Sequence, residues 1–251
     1  MSDAPKKAAA DLRDLIGEFY RTIDPKAPPT LGAIVRAPIP YLDYRPRVFV
    51  PTRADPRNHA IAQVTVRQMD DTADFRGQNR GLPLAYADLG EGEELLGIVA
   101  KHRPAVVVGE VPGIDLKTLP AGVQRNKVGR SLDRAFLVAP MFSISTAIQP
   151  RAFGPVITAR IKCLMYPQFV YLGKHEKPEL EGGVVRLDRL VTTHLGACLG
   201  STGLAVSDQV LGLMRDQLAI LTGAAPTAEY AELRELMLGE LPEEAQLPAK
   251  A

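Results

Sequence analysis

The sequence predicts a mostly β chain with added helices, an α+β protein, and three observations lead to that reading. The apolar runs are short and rich in Val and Ile. They are divided by many turn residues, 21 Gly and 21 Pro among 251 residues. The longer helical periodicities gather towards the two ends of the chain. Hydrophobic residues make up 46% of the total, enough for a chain of this length to bury a core without disulfide or metal staples.

Residues 5–23 place Leu12, Leu15, Ile16, Phe19, Tyr20 and Ile23 at three- and four-residue intervals, which predicts an amphipathic helix stopping at Asp24-Pro25. Residues 24–30 read as a Pro-rich connector. Strands are predicted at 31–35, 48–50 and 61–66, the last two separated by a turn holding Asp55-Pro56. The polar, aperiodic stretch 70–83 reads as an exposed loop, and a short helix is expected at 93–100. Ala105 to Val108 is apolar at every position, the pattern of a strand covered on both faces. A long basic loop over 109–134 follows, then strands at 135–139, 156–164, 168–172 and 184–187. Ser207 is placed to cap a helix running to Leu221 and closed by Gly223, and Thr227 to start another over 228–238. The tail 241–251 reads as frayed.

Charge and motifs exclude several classes. Thirty Lys and Arg against 29 Asp and Glu give a net charge of +1, so the chain is no basic nucleic-acid coat and any RNA site must be a local patch. Cys163 and Cys198 lack CxxC or Cys/His spacing, which argues for reduced core thiols rather than zinc or a disulfide. The opening MSDAPKKAAADLRDLIGEF lacks the apolar run of a signal peptide, and no stretch reaches the length that spans a bilayer, so the expectation is cytoplasmic, with no membrane. No Walker loop, dinucleotide fingerprint, nucleophile elbow, zincin helix or kinase motif is present, and no cofactor or metal is expected.

Four segments, taken in order, carry a resemblance. They are Gly32-Ala-Ile-Val-Arg-Ala-Pro-Ile-Pro-Tyr-Leu-Asp43, His102-Arg-Pro-Ala-Val-Val-Val108, Phe136-Leu-Val-Ala-Pro-Met-Phe-Ser143 and Gly183-Val-Val-Arg-Leu-Asp188. Together they resemble the PemK/MazF toxins: an opening strand running to an Asp, an Arg-Pro strand, a strand usually ending Pro-x-Thr-Ser, and a Gly-Val-Val-Arg-x-Asp element. The resemblance covers about half the chain. It implies an SH3-like barrel over 31–223, interrupted by an added segment at about 44–100. An N-terminal helix and connector over 1–30 and a C-terminal helix and tail over 224–251 flank it. It further implies a metal-independent endoribonuclease acting on single-stranded RNA, commonly a homodimer with RNA across the dimer face and an antitoxin as masking partner.

The sequence departs from the family where the threonine would stand, at Phe142; Ser143 is the hydroxyl in register, with Ser145 and Thr146 just beyond. Arg45-Pro46 competes with Arg103-Pro104 for the Arg-Pro strand, and Arg103 is preferred because its strand leads on to Val138-Ala139-Pro140.

Cleavage by 2′-hydroxyl attack needs a base, positive charge for the crowded phosphorane and a donor to the departing 5′-oxygen. Arg186 and Asp188, two apart on a predicted strand, would share a face, offering a base beside a cation or, equally, an ordinary strand ion pair. Arg103 would hang at the barrel rim as an electrostatic stabiliser or merely cover apolar surface with its stem. Ser143 completes the catalytic set. His102, Phe142, Ser145, Thr146, His194 and Asp43 are the RNA-binding candidates, Phe142 by stacking. The sequence leaves three readings open: an active ribonuclease, a barrel that binds RNA or protein without cutting, and a toxin–antitoxin or phage-defence component masked by its own helices.

Overall fold

The structure, a computed structural model, describes residues 12–41, 45–53, 62–70, 72, 74, 95–113, 135–144, 153–194 and 200–247. The Asp55-Pro56 turn, most of the 70–83 loop, the basic stretch 114–134 and Cys198 lie outside them. The chain divides into two compact units, one of residues 1–37 with 102–251 and one of residues 38–101.

The first unit is built on a strongly curled, antiparallel half-barrel sheet. Its strands are β1 (Tyr20–Thr22), β2 (Ala33–Pro40), β6 (Ala100–Val111), β7 (Ala135–Ser143), β8 (Phe169–Leu172), β9 (Gly183–Arg186), β10 (Val191–His194) and β11 (Gly200–Val206). Their order is β1-β11-β2-β6-β7-β9-β8, with β10 also on β7. The expected central strand at 105–108 is the buried middle of β6, where Ala105, Val106 and Val107 are all fully covered.

Strand β7 carries two partners along one edge: β10 pairs Ala135 to Val138, and β9 pairs Met141 to Ser143. Between β9 and β10 the chain makes a 3-10 turn, Leu187–Arg189. Pro140, which has no N–H to give a ladder, sits on β7 where the two pairings part. The turn is held by the Leu187 N–H donating to the Gln168 carbonyl at 2.9 Å and by burial of Leu187.

Among the described residues the helices that accompany the sheet are α1 (Leu12–Ile16), α2 (Pro155–Lys162), α3 (Asp208–Leu221) and α4 (Ala228–Gly239). Both predicted caps form. Ser207 accepts from the Val210 N–H, Thr227 accepts from the Tyr230 N–H, and Asp216 on α3 takes both the Thr227 N–H (2.7 Å) and its hydroxyl (3.0 Å). Val210, Leu211 and Met214 from α3 and Tyr230 and Met237 from α4 join Ile34, Val106, Met141, Val170 and Val185 in one apolar cluster. Each such side chain contributes roughly 1.5–3 kcal/mol by leaving water.

In this unit three expectations are corrected. The helix over 5–23 shrinks to Leu12–Ile16 in the described residues, because Gly17 takes φ +79° and its N–H closes on the Arg13 carbonyl. The chain then enters β1, where the Tyr20 hydroxyl donates to the Gly173 carbonyl at 2.6 Å. The strand expected at 156–164 is α2: Gly154 caps it, Pro155 fills its first turn, and these outweigh the β-branched Val156, Ile157 and Thr158. The tail does not fray at 243–245, a 3-10 turn whose Ala245 carbonyl accepts from Arg160 Nε at 2.7 Å while the Gln246 carbonyl accepts from Nη2.

The second unit holds a three-stranded sheet, β4-β3-β5, of β3 (Arg47–Arg53), β4 (Ala62–Gln68) and β5 (Leu96–Gly97). Strand β5 replaces the helix expected at 93–100, since Leu96 and Gly97 pair with Val48 and Arg47. Gly97 lies against the Phe49 ring, where any Cβ would collide with it. Fully buried Asp74 accepts a two-pronged contact from Arg67, and its Oδ2 also takes the Asp70 N–H at 2.7 Å.

Candidate functional site

Strands β6, β7, β9 and β8, neighbours in that order, set one row of side chains across a face of the sheet. Strands β8 and β9 pair Phe169 directly with Arg186. Strands β7 and β9 pair Phe142 with Val184, which shares a face with Arg186 two residues on. The β6–β7 register, Ala105 with Pro140, carries back to Arg103 beside Phe142. The row therefore reads Arg103, Phe142, Arg186, Phe169, cation and aromatic in alternation.

Distances bear this out. The Arg103 guanidinium carbon lies 4.4 Å from the Phe142 ring centre, and that of Arg186 lies 5.5 Å from both Phe142 and Phe169. All are within the range of cation–π attraction, worth ~0.5–1 kcal/mol at exposed sites and more when desolvated. Because they share one ring, the two guanidinium carbons are within about 10 Å of each other.

Asp188 reaches Arg186 by a different route from the one expected. It stands on the 3-10 turn, not on the strand, and the turn swings its carboxylate back against the guanidinium. Arg186 Nε donates to one oxygen at 3.0 Å and Nη2 to the other at 2.5 Å. With side-chain exposures of 20% and 32%, this pair is less screened than a fully exposed one. Two of the roughly four lone-pair sites of the carboxylate are thereby committed.

Phe169 is the participant that sequence reasoning missed. Its ring meets Phe153 at 5.2 Å and Tyr166 at 6.2 Å, both edge to face, and its carbonyl accepts from the buried Gln217 side chain of α3. A strand was expected there, but nothing in the segment says which strand will pair with it; the β8–β9 register does.

The remaining candidates separate from the row. Ser143 and His102 are both exposed, and strand alternation turns them to the face opposite Phe142 and Arg103. The β7–β9 register runs without a shift through Met141, Phe142 and Ser143, so no bulge rotates Ser143 into the row. His194 pairs with Ala135, seven residues from Phe142 and so roughly 23 Å away along β7. Asp43, Ser145 and Thr146 lie outside the described residues. Arg45, the rival for the Arg-Pro strand, belongs to the other unit.

Among the described residues no group of three His, Cys, Asp or Glu could hold a metal ion, and no helix is long and apolar enough to cross a membrane. The row and Asp188 offer two guanidiniums set against one ring, a carboxylate and aromatic rings, a set suited to phosphate oxygens beside planar bases. Compared with protein-family models, curated proteins and solved structures, the chain matches none.

Proposed function

We propose that this protein is a diverged PemK/MazF-like, metal-independent endoribonuclease of the cytoplasm that cleaves single-stranded RNA slowly by 2′-hydroxyl attack. The observation that supports this reading is the meeting of Arg103, Phe142 and Arg186 in one row, with Asp188 bonded to Arg186; the four come from three of the four segments of the resemblance. In the proposed step the 2′-oxygen attacks phosphorus and gives its proton to Asp188, the bond from phosphorus to the 5′-oxygen breaks, and that oxygen takes its proton from solvent water. Arg103 and Arg186 stabilise the charge of the phosphorane. An SH3-like barrel, a homodimer sharing the RNA groove and an antitoxin covering it belong to the same proposal.

Two observations favour a second reading, an RNA-binding module that has lost most cleavage. Asp188 already accepts from Arg186 at both oxygens, and the phenyl ring of Phe142 stands where the family has a hydroxyl, with Ser143 on the other face. One experiment tests both: the pure protein is incubated, without metal, with a mixed single-stranded RNA pool, and the ends are sequenced. Fragments with 5′-hydroxyl and 2′,3′-cyclic phosphate ends are the expected result. Intact RNA that co-elutes with the protein would establish the binding module, and intact RNA that does not bind would remove both readings.

A further inference from the structure

We propose that Phe169 is a positioning residue, holding the Arg186 guanidinium in the orientation in which it meets a phosphate; its value for RNA rests on the function proposed above. Arg186 ends β9, the chain turns immediately into Leu187–Arg189, and on the β8 side Phe169 is the residue paired directly with it. Asp188 fixes the guanidinium within its own plane through Nε and Nη2. The paired hydrogen bonds resist twist and in-plane displacement, and they hold the guanidinium least against tilting out of the shared plane. The rings of Phe142 and Phe169, each 5.5 Å from the guanidinium carbon, supply the second restraint.

Phe169 suits that task because it is itself held from three directions. Phe153 and Tyr166 meet its ring edge to face, and the fully buried Gln217 donates to its carbonyl. The Phe169 N–H donates to the Tyr166 carbonyl, and Tyr166 takes a hydrogen bond from Arg160 at its hydroxyl. A locked ring limits the orientations of the cation beside it, and a preset cation loses less entropy on meeting phosphate.

The test separates the electrostatic role of the ring from its bulk. Fluorinated phenylalanines placed at position 169 withdraw the negative face of the ring while nearly keeping its shape. Two quantities are measured on each variant: the Arg186 Nε–H nuclear magnetic resonance signal, and the affinity for a short fluorescein-labelled oligouridylate. The Arg186 signal should move stepwise with fluorination, and affinity should fall about twofold to fivefold in parallel. Phe169→Tyr should keep both near native values and Phe169→Leu should lose both, thermal unfolding confirming that each is folded. An Arg186 signal indifferent to fluorination would overturn the proposal, as would RNA affinity that stays constant while the signal moves. If the native protein binds no oligouridylate, the RNA reading falls and the resonance series alone decides whether Phe169 holds Arg186.

Discussion

Arg186 grips both oxygens of Asp188, and this one contact is what makes the pair either a catalytic unit or a structural clasp. We expect Arg186→Ala and Asp188→Ala each to remove most of the RNA cleavage, on the order of a hundredfold or more for loss of a preorganised charge. Circular dichroism and thermal melts should show folded proteins. Collapse of the fold in either variant would identify the pair as an ion pair needed by the 3-10 turn instead.

On the proposed function, Phe142 is the position that separates a cutting barrel from one that only binds. Replacing it by Thr restores a hydroxyl to the row but removes the ring on which Arg103 lies at 4.4 Å. Cleavage should therefore rise in Phe142→Thr while the melting temperature drops by several degrees, as expected for loss of a half-buried aromatic group. Unchanged cleavage at unchanged RNA affinity would show that this position is not where the family's threonine works.

Tyr20 sets an alkaline limit on stability. Burial, with a smaller contribution from Tyr171, pushes its phenol well above the usual range, and its hydroxyl donates to the Gly173 carbonyl. An unfolded tyrosine ionises near pH ~10, so below that pH the stabilisation is fully present. Above it the unfolded chain gives up a proton that folded Tyr20 retains, and stability falls as pH rises. Tyr20→Phe should cost about 1 kcal/mol at neutral pH and make the alkaline decline shallower, read from urea midpoints on either side of about pH 10. An equally steep decline in the variant would assign the effect to other groups.

In the second unit, Asp74 is fully buried with Arg67 and the Asp70 N–H as its donors. Asp74→Ala leaves the Arg67 guanidinium, 39% exposed, to be hydrated, so the loss should be moderate, about 1–3 kcal/mol. Hydrogen exchange should quicken in β3 and β4. Protection there equal to the native protein would mean that the sheet does not depend on this clasp.

A homodimer is expected from the shared-groove proposal. Light scattering at micromolar concentration should return twice the chain mass, and a monomer mass would argue strongly against a groove built from two subunits.

Much of the architecture is legible from local chemistry. The caps at Ser207 and Thr227 are satisfied within three residues of themselves, so the starts of α3 and α4 can be read from spacing alone. The unbroken apolar run at Ala105–Val107 marks a strand buried on both faces without reference to its partners. Where neighbouring preferences compete, local reading goes astray: β-branched residues after Gly154-Pro155 spell a strand yet fold as α2, and Gly17 cuts short a helix whose apolar spacing runs on past it. At the site, the segments holding Arg103, Phe142, Arg186 and Asp188 stand out in the sequence, but their grouping does not. Ser143 and Phe142 are adjacent in the chain and fall on opposite faces, while Phe169 and Arg186 are far apart in the chain and lie side by side. A residue's neighbours in sequence set its torsions and its face; which strand comes to lie beside it is decided by how the whole sheet curls to bury its apolar side, and that is a property of the tertiary structure alone.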